Sequence, residues 1–421
     1  MSLSSIRIFI KKLKLVFNEN VSSVWDFFLF FLRIPPESVK PDIDKKLILY
    51  VGEFLPPRIA RIAKWTKRLD NYSTILLCHK SGYFEEFSNE AIDHTLLFRN
   101  KWHLKRTIRS LPNLHVAHGF APKSKSPYFA MKFLKKYQPV VPFVVDYQDV
   151  LTIYYGLNPV QKWLKKELPY EKLCLQNANG IFANSLEPLA GMNILGIRNS
   201  GKRLFFPLYC DNDSFTTSQI PLTKDNIHLV YVGGIVGSHR DKRYYAGTQF
   251  HWLIEYLTTQ KIHFHVYPSP TVTKADYEEY EVIAKHNDFF HFHTAVPQAD
   301  LSQELSQYHY GLMPFFAGTS EQSALKSKYA TTLKLFNYLE AGIPIIVGAS
   351  VIYQSWLVSR YKLGIIVTQK EDFMNIRTQI ESQNYQEQLN NVIQQREVLS
   401  LKKHIPRLIE FYERLRASSL N

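Results

Sequence analysis

The 421-residue sequence predicts an α/β protein made of two parallel-sheet halves that face each other across a cleft. Three observations carry this reading. Short apolar runs alternate with amphipathic helical stretches from Leu47 onward, the pattern of a parallel sheet covered by helices. The alternation pauses in a polar, turn-rich stretch, Pro207–Pro221, and restarts at Ile227. Within the second half, Lys328–Val347 reads as loop, helix, glycine and buried strand in immediate succession. Two Rossmann-like domains, binding at the carboxyl ends of their strands, are the simplest architecture.

The elements follow in order. Residues 1–40 form a separate N-terminal segment, with a basic amphipathic stretch, Ser4–Phe17, and an aromatic run, Phe27–Leu32. It lacks the long apolar core and cleavage site of a secretory signal. Asn18, Glu19, Asn20 and Asp26 interrupt the roughly 20 apolar residues that a membrane span needs. Two readings stay open: a helix lying on an anionic membrane, or a helix packed on the body with its lysines in water. The first domain, 41–206, has strands at Leu47–Val51, Thr74–Cys78, Leu114–Ala117, Val140–Val145, Ile181–Ala183 and Leu204–Phe206, with helices at Lys101–Ser110, Tyr128–Tyr137 and Val160–Gln176. A linker, 207–226, leads to the second domain, 227–400. Its strands are Ile227–Val232, Ile262–Tyr267, Gly311–Pro314, Ile343–Val347 and Leu363–Val367, and its helices include Phe250–Thr258 and Asp276–His286. Residues 401–421 form a last helix.

Composition narrows the partners. A formal charge of +14 and a pI near 9.4 favour anions such as nucleotides or acidic lipid surfaces. No nucleic-acid motif or stacking segment accompanies the charge, so nucleic acid is not an expected partner. Cys78, Cys174 and Cys210 have no metal-ligand spacing and read as small buried residues of a reducing compartment.

The element at Lys328–Val347 carries most of the chemistry. Thr331 or Thr332 can cap its helix, Leu333, Phe336 and Leu339 form the inward stripe, and Gly342 ends it. A helix start of this kind suits a phosphate. Lys334-Leu-Phe-Asn-Tyr-Leu-Glu-Ala-Gly-Ile-Pro-Ile-Ile346 resembles the nucleotide-sugar-binding segment of GT-B glycosyltransferases, above all family 4. Phe206-Pro-Leu-Tyr-Cys-Asp211, Leu114–Gly119, Phe143–Asp149, Ile181–Ser185 and Tyr231–Gly234 resemble further segments of that family in the same order. The resemblance covers roughly Lys45–Val367 and implies a GT-B fold with a nucleotide-sugar donor in the second domain. It also implies retention of configuration without a metal or cofactor. Many members carry two glutamates where this chain has Tyr329 and Asn337. Asn337, at the matching position, and Glu340, nearly a helical turn on, are then the ribose candidates.

The other donor-site candidates are cations and backbone. Gly233 and Gly234 let a phosphate approach the chain, against the alternative of an ordinary turn. Arg240, Lys242 and Arg243 follow as phosphate clamps or as a solvated loop. Lys328 and Lys334 bracket the helix start, and Lys334 in the first turn opposes the helix dipole unless an anion sits nearby. In the first domain His118, expected at a strand end facing the cleft, and Asp149, a carboxylate available as base, are the catalytic candidates. Arg58, Arg61, Lys64 and Arg68 recur along the first helix. They read as a solvated face or, with Lys132, Lys135 and Lys136, as a surface for lipid headgroups.

The expected activity is sugar transfer to a glycan or lipid-linked acceptor in surface polysaccharide synthesis. The expected location is the cytoplasm, peripheral to the inner membrane face. A sugar-nucleotide epimerase and a noncatalytic partner subunit that lost turnover with the two glutamates are the alternatives.

Overall fold

The computed structural model describes residues 19–32, 44–79, 90–121, 123–217, 221–223, 226–317 and 320–420. Ser4–Phe17 lies outside them. The first sheet consists of β1 (Lys46–Gly52), β2 (Tyr72–His79), β3 (His94–Phe98), β4 (Val116–Ala121), β5 (Phe143–Tyr147), β6 (Gly180–Ala183) and β7 (Lys202–Phe205). The second consists of β8 (His228–Gly233), β9 (His263–Pro268), β10 (Phe290–Phe292), β11 (Tyr310–Met313), β12 (Ile345–Gly348) and β13 (Gly364–Val367). Their orders are β3-β2-β1-β4-β5-β6-β7 and β10-β9-β8-β11-β12-β13, and every pairing is parallel.

Both sheets reverse their strand order beside their first strand, at β1/β4 and at β8/β11. Such a reversal leaves a crevice at the carboxyl ends, where ligands of doubly wound sheets bind. The strands are buried on both faces because helices cover each side, which explains their continuous apolar runs.

The two terminal helices both seat on the first domain. Glu19–Phe31 packs on Lys101–Ser110, with Asp26 fully buried and paired to Arg106 at 2.8 Å and Arg99 at 3.0 Å. For this part of the N-terminal segment the structure selects the helix packed on the body. Leu401–Leu420 crosses back from the second domain. Its Glu413 accepts from Lys46 at 2.7 Å and from Tyr72 at 2.5 Å. The three cysteines are buried and unpaired.

Candidate functional site

The seam between the domains is built on the helix Pro57–Lys67. Pro57 suits its first turn, where no backbone N–H partner is needed. Arg58, Arg61 and Lys64 recur every three residues and so share a face, and that face points inward rather than to solvent. Arg58 and Arg61 are only 6% and 7% exposed. Arg58 pairs with Asp146 of β5. Arg61 reaches across to the second domain, donating to Glu340 at 2.7 and 3.1 Å and to the Asn337 side-chain oxygen at 3.3 Å. Lys64 pairs with Asp211 at 2.5 Å and Asp213 at 3.0 Å, and Arg68 with Asp213. The solvated-face and headgroup readings of Arg58, Arg61 and Lys64 are therefore corrected, while Arg68 stays exposed beside an exposed Asp213. Buried carboxylates from β5, the linker and the second domain draw the cations in.

This clamp also corrects the ribose reading. Glu340 is fully buried and accepts additionally from the Asp211 backbone N–H at 2.7 Å. Burial pushes its carboxyl up, with Arg61 opposing. Asn337 is 6% exposed and turned to Arg61. Both are occupied in holding the domains together.

His118 stands in the middle of β4 and is fully buried, so it does not face an open cleft. Its Nε2 donates to Asp146 at 3.1 Å, which leaves Nδ1 to accept from the Tyr412 hydroxyl at 2.5 Å. Burial opposes charge on Asp146, but Arg58 and His118 together outweigh it and hold the carboxyl below its usual range. Arg58, Asp146, His118 and Tyr412 thus form one buried polar chain that fixes the C-terminal helix to the first sheet.

Asp149 lies beyond the end of β5 and is half-buried. It accepts from the Tyr154 hydroxyl at 2.7 Å. Glu187 is fully buried beside it, 3.5 Å from the same hydroxyl, and accepts from the Val150 N–H at 2.8 Å. Burial, with Asp149 next to it, pushes the Glu187 carboxyl well above its ordinary value. Lys326, from the second-domain helix Glu321–Tyr329, sits 4.6 Å from the Tyr154 ring centroid and brings a cation over this pair. Sequence reasoning named neither Glu187 nor Lys326. Their signal is tertiary, since positions 187 and 326 share no local pattern.

The remaining corner joins Gly233 and Lys334. Gly233 ends β8 with φ at 127°, where a side chain is strained. A Cβ there would lie 2.6 Å from Lys334 Cε and 2.8 Å from Nζ, so the lysine lies along the glycine backbone. Its ammonium is 5.5 Å from the Tyr231 and Phe315 ring centroids. Among the described residues it has no carboxylate partner. Burial, and Lys326 nearby, lower its pKa to about 8. A Cβ at Gly234 would meet nothing within 4 Å, so space is open beside the turn.

The helix here is Lys334–Glu340, preceded by Leu333 rather than by a capping threonine. Thr332 Oγ1 accepts from the Lys334 N–H at 3.1 Å, and Thr331 Oγ1 donates to the Asn184 carbonyl of the first domain at 3.3 Å. Gly342 ends the element with φ at 74°. The other expected donor cations are not gathered at this corner. Arg240 is held by Asp276 through two bonds of 2.7 Å, while Lys242 and Lys328 are exposed. Asp276 belongs to the helix Lys274–Lys285, which thereby fixes the Arg240 loop. The Arg243 side chain lies outside the described residues.

Two parallel sheets with this strand order and a clamped seam define a GT-B protein, and solved structures share the fold. Sucrose-phosphate synthase from Thermosynechococcus elongatus superimposes with a TM-score of 0.65 at 12% identity, over 89% of this chain and 100% of that one. Anabaena HepE in complex with UDP-glucose gives 0.61 at 11%, over 88% and 98%. The N-terminal domain of Candida albicans trehalose-6-phosphate phosphatase gives 0.56 at 10%, over 90% and 99%. No curated protein matches the sequence. Residues 244–410 match the family described as glucosyltransferase 3-like, C-terminal domain. The chain has a GT-B fold, and the segment that matches the family includes the Lys334 helix.

Proposed function

We propose that this chain transfers a sugar from a nucleotide-sugar donor to a glycan or lipid-linked acceptor, with the donor diphosphate at the Gly233–Lys334 corner. The observation that carries the reading is Lys334. It is a half-buried cation without a carboxylate partner among the described residues, laid against a side-chain-free turn at the carboxyl edge of the second sheet. A diphosphate supplies the missing anion, and the ammonium then stabilises the charge that grows on the leaving group. HepE was solved with UDP-glucose, which supports a nucleotide-sugar of this kind.

Retention without a metal is what the resemblance to family 4 implies. The donor phosphate takes the acceptor proton, and no step requires a metal. In this reading Asp149 is the acceptor-side carboxylate, with Glu187 buried beside it. A thermal-shift screen against UDP, GDP, CDP and their sugars, followed by donor hydrolysis without acceptor, tests the proposal. Stabilisation by one nucleotide class with slow hydrolysis is the expected result.

One observation favours the noncatalytic reading: Asn337 and Glu340 are occupied by Arg61. Binding without turnover is its signature.

The N-terminal helix supports a location at a membrane surface. Phe28, Phe31 and Leu32 are more than half exposed. Lys105 and Arg109 lie 3.9 and 4.7 Å from the Phe30 ring centroid, adding a basic margin to the apolar face. No described helix is long and apolar enough to cross a membrane. An apolar face with a cationic margin suits peripheral contact with anionic lipid at the inner membrane face. Phe28→Ser with Phe31→Ser should release the protein from anionic vesicles; full retention would place the contact elsewhere.

A further inference from the structure

The second sheet carries a cluster that sugar transfer does not use. His228 of β8, His263 and His265 of β9, His291 of β10, His293 just after it and His309 just before β11 lie together. Rings on neighbouring strands stack: His228 on His263 at 4.4 Å between centroids, and His265 on His291 at 4.3 Å. Diagonal neighbours share hydrogen bonds. His228 Nδ1 meets His265 Nε2, His265 Nδ1 meets His293 Nε2, and His263 Nδ1 meets His291 Nε2, each at 2.9 Å.

The protons in this network can be assigned. The Asn226 side-chain oxygen, 2.6 Å from His228 Nε2, can only accept, so that nitrogen donates. In the neutral ring His228 Nδ1 then accepts from His265 Nε2–H, and His265 Nδ1 accepts from His293 Nε2–H. His309 Nδ1 accepts from the His228 backbone N–H at 2.9 Å, and its Nε2 donates to the Pro221 carbonyl at 3.3 Å. One ring of the His263–His291 pair must accept likewise. A second proton on any accepting ring would set N–H against N–H. Four of the six rings, His228, His265, His309 and one of His263 and His291, must therefore stay neutral for the bonds to exist.

We propose that the six histidines are a proton-operated catch: neutral, they tie β8, β9 and β10 together, and on acidification they take up protons and let the β9–β10 edge open.

The groups that face the cluster fit this role. Glu304 accepts from Tyr267 at 2.5 Å and opposes the burial that lowers the basicity of His293. Tyr267 stacks on His293, Tyr308 lies 4.6 Å from His265, and Tyr385 lies 6.0 Å from His309; these tyrosines stay neutral throughout. Burial lowers the basicity of all six imidazoles, His228 to about 4, and neighbouring histidines lower it further at His228, His265 and His291. The sign follows. Their stabilisation is complete above the ordinary histidine value of 6.5 and is lost as pH falls below it. Among the described residues no three ligating groups are placed to hold a metal ion.

Hydrogen–deuterium exchange on the full chain between about pH 7.5 and 5.5, corrected for intrinsic rates, tests the catch. Opening of β9 and β10 should rise about tenfold per pH unit for each proton taken up, while β1, β2 and β4 stay protected. Unchanged protection, or parallel loss in both sheets, would overturn the proposal. His265→Gln keeps a donor and an acceptor but cannot titrate, so the acid response should shrink; a folded variant that keeps the full response overturns it equally. Should that variant not fold, the wild-type comparison between sheets decides alone.

Discussion

Two groups of basic residues meet at the domain seam and end in opposite states. Arg58, Arg61 and Lys64 are each matched to a buried or linker carboxylate, and Arg61 joins one domain to the other. Lys334, on the helix whose far end Arg61 holds, has no such partner among the described residues. The sequence pattern misread only the first group, taking the arginines for a solvated face or a headgroup surface, while the dipole conflict at Lys334 already pointed to an anion. What separates them is the partner. A buried cation matched to a carboxylate holds the domains together, whereas the anion proposed for Lys334 would be its first.

The comparison is broken most severely at Arg61. Arg61→Ala leaves Glu340 buried without its ion-pair partner, and unfolding in urea should show a loss of about 3 to 5 kcal/mol. Joint replacement by Arg61→Met and Glu340→Leu should recover most of that, because two matched apolar groups remove the stranded charge. A single variant as stable as wild type would mean that the clamp opens freely. Gly233→Ala comes next. It forces a side chain into the positive-φ region and against Lys334, so thermal unfolding should register about 1 to 3 kcal/mol, together with weaker nucleotide binding.

Lys334→Met should alter stability by less than about 1 kcal/mol, since no ion pair is lost, while its effect on nucleotide binding is large. The smallest effect is the pH dependence. The charged form of Lys334 predominates below its pKa of about 8, so affinity for a diphosphate should decline as pH rises past that value. A flat profile from pH 7 to 9.5 would separate the lysine from the anion.

The fold was largely legible because its signals are local. Lys101–Ser110 was readable to the residue, and Gly342 marks its helix end with the positive φ expected of it. Two short strands were not. His94–Phe98 is a half-exposed edge strand, and Phe290–Phe292 spans only three residues, too few to show periodicity. β4 shows how an edge error moves a functional residue. The glycine after His118 reads as a turn, but Gly119 lies inside the strand because a Cβ there would strike the Phe143 ring at 2.5 Å. The strand runs four residues past its expected end at Ala117, which carries His118 from the expected rim into the core. The clamp was illegible for another reason. Arg61 and Glu340 are 279 positions apart, and no local pattern reports a pairing at that range.

The central claim is that the Gly233–Lys334 corner holds the donor diphosphate. Calorimetric titration of UDP into wild type and Lys334→Met at pH 7 tests it most directly. A charge-assisted contact of about 1.5 to 3 kcal/mol predicts a loss of roughly tenfold to a hundredfold in affinity, with folding intact. Equal affinity in the two proteins would contradict the account and move the anion site away from Lys334.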